Sequence, residues 1–250
     1  MSEPKILYLD VETAPAKVYT FSLFKPVIGV DQILEGPRII CWSAKWHGKG
    51  RVLFDSEYHS GYETMLRGIR DLMDEADIVV GYNSRAFDIP WLTGEFLTAG
   101  IEQPSPFQQV DLYRLNKKHL RLVSGKLDYM ALELLGERKV AHAGFRLWKD
   151  CIGPDGPEKD AAWRMMKKYS LKDTALLEPL FEAVRPFVSG VNMALHSEES
   201  FACTRCGSPN VVARGFAFTT TGKFQRYRCN DCGGWSKDPR RVSTTSLRPM

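Results

Sequence analysis

Asp10 and Glu12 stand two residues apart at the end of a short apolar run, Lys5-Ile-Leu-Tyr-Leu-Asp10. Side chains alternate faces along a strand, so both carboxylates would leave the same face, with Cα atoms about 7 Å apart. Two hard oxygen ligands on one face suit Mg²⁺ or Mn²⁺, and a pair of such ions about 3.5–4 Å apart can activate water on one side of a phosphodiester and stabilise the leaving oxygen on the other. A lone Asp-x-Glu is equally a solvated strand end. A second carboxylate, Asp88, follows the run Ile78-Val-Val and a turn containing Gly81 and Asn83, and immediately precedes Ile89 and Pro90. There it serves either as a ligand or as the N-cap of the next helix, with Asn83 and Phe87 as a turn residue and a core aromatic. In the third element, Tyr169 and Asp173 are four apart and share a face if the segment is helical, so that one binds metal while the other orients water, or a half-buried Tyr sits beside a solvated Asp.

The cysteines carry a separate chemistry. Cys203/Cys206 and Cys229/Cys232 form two C-x₂-C pairs with 22 residues between them, whereas Cys41 and Cys151 stand alone as ordinary buried thiols. Four thiolates without an open position suit one structural Zn²⁺, and Gly207 and Gly233 after each pair relieve the tight turns of the knuckles. Residues 211–218 and 223–228 are expected as two strands joined at 219–222, forming a zinc ribbon that depends on metal for its folding. Arg214, Lys223, Arg226 and Arg228 interleave with Phe216, Phe218, Phe224 and Tyr227. That mixture suits phosphate contact and base stacking, with a stabilising cap or a protein-docking module as the alternatives.

Positioning these groups requires an ordered scaffold. Strands are expected at 5–10, 38–46, 50–55, 78–80 and 109–113. Tyr62, Met65, Leu66, Ile69, Leu72 and Met73 recur at spacings of three and four, which predicts an amphipathic helix over 61–76. Further helices are expected from Pro90 towards Ala99, over 127–135 with Gly136 as the stop, and from 160 into the 180s, where Pro179 kinks or divides the helix. Residues 14–37, with three prolines and two glycines, show no period and read as a long excursion. Its Tyr19, Phe21 and Phe24 pack over the core or stack on bases. The alternation predicts an α/β fold, a mixed β-sheet flanked by helices, over 1–190, a small zinc ribbon over 200–238 and a flexible tail over 239–250.

A net charge of +4 and a pI near 8.7 are compatible with a polyanionic partner without requiring one. No run of 18 apolar residues occurs, and 1–5 lack the basic-then-apolar layout of a secretory signal. With the paired cysteines reading as metal ligands of a reducing compartment, the chain is expected to be soluble and intracellular, cytoplasmic or nucleoid-associated, not secreted, and without a membrane partner.

Taken together, Leu9-Asp-Val-Glu-Thr13, Asn83-Ser-Arg-Ala-Phe-Asp88 and Tyr169-Ser-Leu-Lys-Asp173 resemble the three exonuclease motifs of the DEDD superfamily, whose fold is ribonuclease H-like. The Tyr-x-x-x-Asp form is similar to the DEDDy branch, which includes the proofreading domains of family A and B DNA polymerases, and the likeness covers residues 5–187. Lys126-Leu-Asp-Tyr-Met-Ala-Leu-Glu-Leu-Leu-Gly136 resembles the helix between the second and third motifs. The resemblance implies two Mg²⁺ or Mn²⁺ ions. Asp10 would bridge both, Glu12 and Asp173 would bind the ion that generates the nucleophile, Asp88 would serve the other, and Tyr169 would position the attacking water. It further implies 3′→5′ hydrolysis of nucleic acid to nucleoside 5′-monophosphates, DNA in preference to RNA, with Asn83 and Phe87 at the strand and a replication or repair protein as a possible partner. A structure-specific endonuclease or ribonuclease on the same site, and a non-catalytic nucleic-acid-binding subunit, are the competing readings. Against the last, four clustered acids without metal would repel one another for no structural gain.

Overall fold

The structure of the protein, a computed structural model, describes residues 4–247. The start of the segment read for a secretory signal and the last three residues of the expected tail lie outside the described residues. A five-stranded sheet forms the centre, built from β1 (Ile6–Thr13), β4 (Ile39–Trp46), β5 (Val52–Ser56), β6 (Ile78–Gly81) and β7 (Gln108–Asp111) in the order β5-β4-β1-β6-β7. β5, β4 and β1 are antiparallel neighbours, and β1, β6 and β7 run parallel. Between β1 and β4 the excursion holds a small antiparallel pair, β2 (Lys17–Val18) with β3 (Ile33–Glu35), and a 3-10 turn (Val30–Gln32), and the pair is closed by a Lys17–Glu35 ion pair at 2.8 Å.

Both faces of the sheet are covered, and β1 shows how the alternation divides them. Leu7, Leu9 and Val11 face one side, where they pack with Met65, Leu66, Ile69 and Met73 of α2 (Tyr62–Asp74) and with Leu92 and Phe96 of α3 (Asp88–Thr98). A one-turn helix, α1 (Glu57–Ser60), precedes α2. Ile6 and Tyr8 face the other side, against α5 (Leu127–Leu135) and α7 (Pro157–Val184), the latter contributing Leu176, Leu177, Leu180 and Phe181. Two short helices, α4 (Leu112–Leu115) and α6 (Phe145–Cys151), complete this side. The mixed sheet flanked by helices is the expected architecture.

Several expectations need correction. The first strand does not end at Asp10 but continues to Thr13, because β4 pairs with it along its length, Asp10 opposite Ser43 and Glu12 opposite Cys41. Tyr113 belongs to α4, since the Asp111 carboxylate accepts from the Tyr113 and Arg114 amides and turns the chain out of the sheet. α7 passes undivided through Pro179. In the excursion, Tyr19, Phe21 and Phe24 do not pack over the core: they are 69%, 106% and 88% exposed.

The cysteine-rich segment forms its own sheet, β8 (Val211–Phe218), β9 (Gly222–Cys229) and β10 (Trp235–Thr244), in the order β10-β9-β8. β10 extends beyond residue 238, so 239–244 of the expected tail are paired strand against Phe224, Lys223 and Gly222 rather than free chain. No described helix is long and apolar enough to cross a membrane.

Candidate metal-dependent nuclease site

Because Asp10 and Glu12 continue the Ile6/Tyr8 face of β1, they point towards α7, and α7 answers with Tyr169 and Asp173 one helical turn apart. A buried hydroxyl cluster sets the register of helix on sheet. Ser43 Oγ donates to the Ser170 carbonyl (2.9 Å) and lies 2.6 Å from Thr174 Oγ1, and Ser170 Oγ donates to Ser43 Oγ at 2.7 Å. Ser43 is the β4 partner of Asp10, so the cluster places Asp173 opposite the strand carboxylates. Small side chains at Ser43 and Ser170 let the helix approach closely, and their hydroxyls satisfy one another where no water reaches.

Single ligand oxygens of Asp10, Glu12 and Asp173 all lie within 4.8 Å of one another. Asp173 is 2% exposed, and burial raises its carboxyl above the ordinary range against the lowering effect of Lys139 and Tyr169. Asp10 is held well above the carboxylate range by burial, then by Glu12, Asp88 and Asp173, and Glu12 is pushed up to about 8 by burial and Asp173, against Lys139. Asp10 Oδ2 and Asp173 Oδ1 are buried with no hydrogen-bond partner. Buried acceptors of this kind are costly unless something else satisfies them, and a hard divalent cation with oxygen ligands does so. The donor set therefore fits a metal.

Asp88 occupies a related but distinct place. Phe87 takes the N-cap position and Asp88 the first position of α3, so the capping reading of Asp88 does not hold. Its Oδ1 accepts from the Val11 amide at 2.9 Å, between the two strand carboxylates, and it does not join the three-oxygen group. Burial raises its carboxyl to about 7. The turn before it is tight: a Cβ on Gly81 would stand 2.5 Å from Ser84 Cβ, and Asn83 adopts a left-handed backbone with φ +65°. Asp111 accepts from the Asn83 amide (3.0 Å) and the Arg85 amide (3.3 Å), tying this turn to β7.

A residue that the spacing of the sequence gave no reason to select stands at the centre. Lys139 Nζ is ion-paired with Asp173, donates to Tyr169 Oη at 2.8 Å and sits 4.7 Å from the centre of that ring. With all three carboxylates ionised, one ammonium leaves two negative charges, which one divalent ion would neutralise. Asp128 holds the Lys139 loop, accepting from the Lys139 amide at 2.9 Å and pairing with Arg138. Tyr169 is further fixed by edge contacts to His142 (4.7 Å) and Trp148 (5.9 Å), and its hydroxyl proton is held firmly by burial beside Glu12 and Asp173. The whole group opens into a cleft of about 460 Å³ lined by Asp10, Glu12, Asn83, Lys126, Lys139 and Tyr169. Phe87 is 36% exposed and packs on Trp91, outside this lining.

In the ribbon all four thiols converge. Cys203 and Cys232 Sγ are 3.6 Å apart, and Cys206 and Cys229 Sγ 3.7 Å apart. A tetrahedron with metal–sulfur bonds of about 2.3 Å has edges of about 3.8 Å, so the group can hold a metal ion. The Arg205 and Gly234 amides donate to Cys203 and Cys232, and Gly207 and Gly233 take φ of +77° and +72°, as expected for the knuckle turns. The four basic residues expected to act together are divided. Arg226 and Arg228 share one face of β9, where Arg226 stacks on Trp235, Lys223 stands on the opposite face over Phe216, and Arg214 lies in the bulge of β8.

Comparison with known proteins bears on this arrangement. Comparison with curated protein sequences returns no match. Among solved structures, the chain is similar to the family B DNA polymerase from the hyperthermophilic archaeon Pyrobaculum calidifontis, with a TM-score of 0.56 and 17% identity. That similarity covers 90% of this chain and 33% of the polymerase, so the chain spans about a third of the protein it matches, and at this identity the likeness is one of fold. An RNase_H superfamily model matches residues 45–184, a span that includes Asp88, Lys139, Tyr169 and Asp173. Since that span is 140 of the 250 residues, the chain belongs to the RNase_H superfamily.

Proposed function

We propose that the protein is a metal-dependent 3′→5′ exonuclease of the DEDDy type, acting on single-stranded or frayed 3′ ends of DNA and releasing nucleoside 5′-monophosphates. The observation that carries this reading is the convergence of Asp10, Glu12 and Asp173 with two buried carboxylate oxygens left unpartnered. Asp10, Glu12 and Asp173 would hold one Mg²⁺ or Mn²⁺, with Asp88 beside them for a second. Bound there, such ions lower the pKa of water and neutralise charge developing on the phosphodiester. The chain's own groups do the rest. Tyr169, kept as a phenol, orients a water by hydrogen bonding and is too weak an acid to serve as the base, while Lys139 fixes its hydroxyl and balances charge on Asp173. Asn83 lines the cleft where a terminal nucleotide would sit.

The thiol group would hold one structural Zn²⁺, giving a zinc ribbon whose Arg226, Arg228 and Trp235 face contacts nucleic acid away from the cleft. The domain limits that go with this reading are 1–190 for the nuclease unit and a ribbon from 200 through the end of β10. A replication or repair protein as partner, and an intracellular site of action, remain part of the proposal.

The test is digestion of matched single-stranded DNA and RNA, labelled at the 5′ end and either free or blocked at the 3′ end, with Mg²⁺, with Mn²⁺ or without added divalent metal. A metal-dependent ladder that shortens only from a free 3′ end is the expected result, with DNA the better substrate. Cleavage of blocked strands would replace the exonuclease with an endonuclease, and no cleavage at all would leave a binding protein.

A further inference from the structure

The cleft is acid-rich where Asp10, Glu12 and Asp173 line it, and the segment that leads into its lining at Gly125 and Lys126 is rich in cations. Between Asp111 and Asp128 there is no acidic residue, while Arg114, Lys117, Lys118, Arg121 and Lys126 fall within 13 positions. The chain here leaves α4 through a π-helical turn (Asn116–Leu120), takes a left-handed backbone at Arg121 (φ +52°), and returns to the cleft at Gly125 and Lys126. Leu115 is buried, and Leu120 and Leu122 pack against the same core as α7. Val123 is exposed, and so are all five cationic side chains.

This lobe is held in place at the cleft. Tyr82 Oη donates to the Gly125 carbonyl at 2.7 Å, and Gly125 lies flat on the Tyr113 ring, where a Cβ would come within 2.8 Å of Cε2. Lys117 sits 4.7 Å above the same ring. What sets the lobe apart is its lack of counter-charge. Across the cleft Arg138 pairs with Asp128, Lys139 with Asp173 and Lys172 with Glu137, whereas none of the five lobe cations forms an ion pair among the described residues.

Five like charges on a short anchored loop repel one another, and among the described residues no acidic partner offsets that cost. A phosphodiester strand approaching Asp10, Glu12 and Asp173 meets repulsion as well. Both costs fall if the strand lies along the lobe, because each phosphate neutralised there releases counterions and brings the chain to the acids already screened. We propose that segment 114–126 is the track on which a single nucleic-acid strand enters the cleft, its phosphates held by Lys117, Lys118, Arg121 and Lys126. The inference rests on the nuclease reading for its direction, but its test does not require hydrolysis. Phosphate contacts do not distinguish DNA from RNA, so the track serves both.

The experiment measures binding of 5′-labelled single-stranded DNA and RNA by fluorescence anisotropy over a range of salt, without added divalent metal. The unaltered chain is compared with a Lys117→Gln, Lys118→Gln, Arg121→Asn variant, Asn being chosen because it tolerates the left-handed backbone. A control carries Arg164→Gln, Lys167→Gln and Lys168→Gln on α7, three exposed cations that also lack ion pairs. At roughly 0.7 per phosphate for a single strand, loss of three contacts reduces the slope of log affinity against log salt by about 2. The lobe variant is expected to show that reduction and at least tenfold weaker binding near 0.1 M salt, on DNA and RNA alike, with the control unchanged. A slope unchanged in the lobe variant, an equal loss in the control, or no strand binding by the unaltered protein would overturn the inference. A reduced slope in a protein that cleaves nothing would sink the nuclease reading and leave the track standing.

Discussion

At the scale of single residues, the acids are arranged against their own ionisation. Glu12 is raised from the ordinary 4.5 to about 8 and Asp88 from 3.8 to about 7, chiefly by burial. A carboxyl whose pKa is higher folded than unfolded favours the fold while protonated and disfavours it once ionised. Without divalent metal, the contribution of these carboxyls to stability should therefore be fullest below about pH 4 and be lost as pH rises towards 8. Metal binds the ionised ligands and reverses the trend. Calorimetry with and without Mn²⁺ should show Tm falling with pH in the metal-free protein, and a rise of about 5–10 °C on adding saturating Mn²⁺ near pH 8, shrinking towards pH 5. A metal response independent of pH would mean that these carboxyls are not the ligands. Lys139 belongs to the same balance, yet neither its spacing nor its type distinguishes it from other lysines in the chain. Only the loop held by Asp128 brings it to Asp173.

At the scale of elements, α7 must sit on β4 to within a fraction of an ångström for Asp173 to meet Asp10. Thr174→Val removes a hydroxyl 2.6 Å from Ser43 Oγ while nearly preserving shape, and leaves buried polar groups short of partners. It should cost about 1–3 kcal/mol in urea unfolding. It should also lower kcat more than it raises KM, because the helix carrying the metal ligand loses its register. Full activity with lost stability would reduce the cluster to packing. What was legible beforehand follows the same division. β1 and α7 could be read because alternation and four-residue spacing are local rules, and they placed Asp10, Glu12, Tyr169 and Asp173 correctly in relation to their own elements. Ser43, Ser170 and Thr174 could not be singled out, since a buried serine is recognised only by its partner 127 or more positions away. The same holds for Asp111, which falls inside the strand expected over 109–113 and in the structure ends β7 and organises the Asn83 turn. The excursion between β1 and β4 shows no period in the sequence, so nothing local reveals its β2–β3 pair, and its exposed aromatics contradict packing over the core.

At the scale of the whole molecule, the two candidate metal sites lie towards opposite ends of β1. The carboxylates occupy its Asp10–Glu12 end. The ribbon docks by the other, where Met193 donates to the Thr204 carbonyl at 3.0 Å, Arg185 reaches the Arg205 carbonyl, and Ile6 and His47 share a cavity of about 490 Å³ with Cys206 and Cys232. Ile6 and Glu12 are six positions apart along the strand, about 20 Å. The ribbon should therefore affect long strands and spare short ones. Because Val188, Val191 and Met193 belong to the main core, the chain must be cut after residue 197 to test this. The shortened protein should cleave strands of a few nucleotides at close to the full-length rate and bind long strands several-fold more weakly. Loss of short-strand cleavage would mean that the Arg185 and Met193 contacts make the ribbon part of the catalytic fold.

If the clustered acids are the hydrolytic centre, cleavage must depend on Asp173. The most direct measurement compares the unaltered protein with Asp173→Asn on a 5′-labelled single strand under single-turnover conditions with Mn²⁺, with zinc content and thermal unfolding recorded for both. We predict a loss of at least about 10³-fold in the cleavage rate, comparable to removing one major source of transition-state charge stabilisation, while zinc content and a cooperative fold persist. Cleavage by Asp173→Asn at the unaltered rate would contradict the account, because the carboxylate at the centre of the proposed site would then have no part in the chemistry.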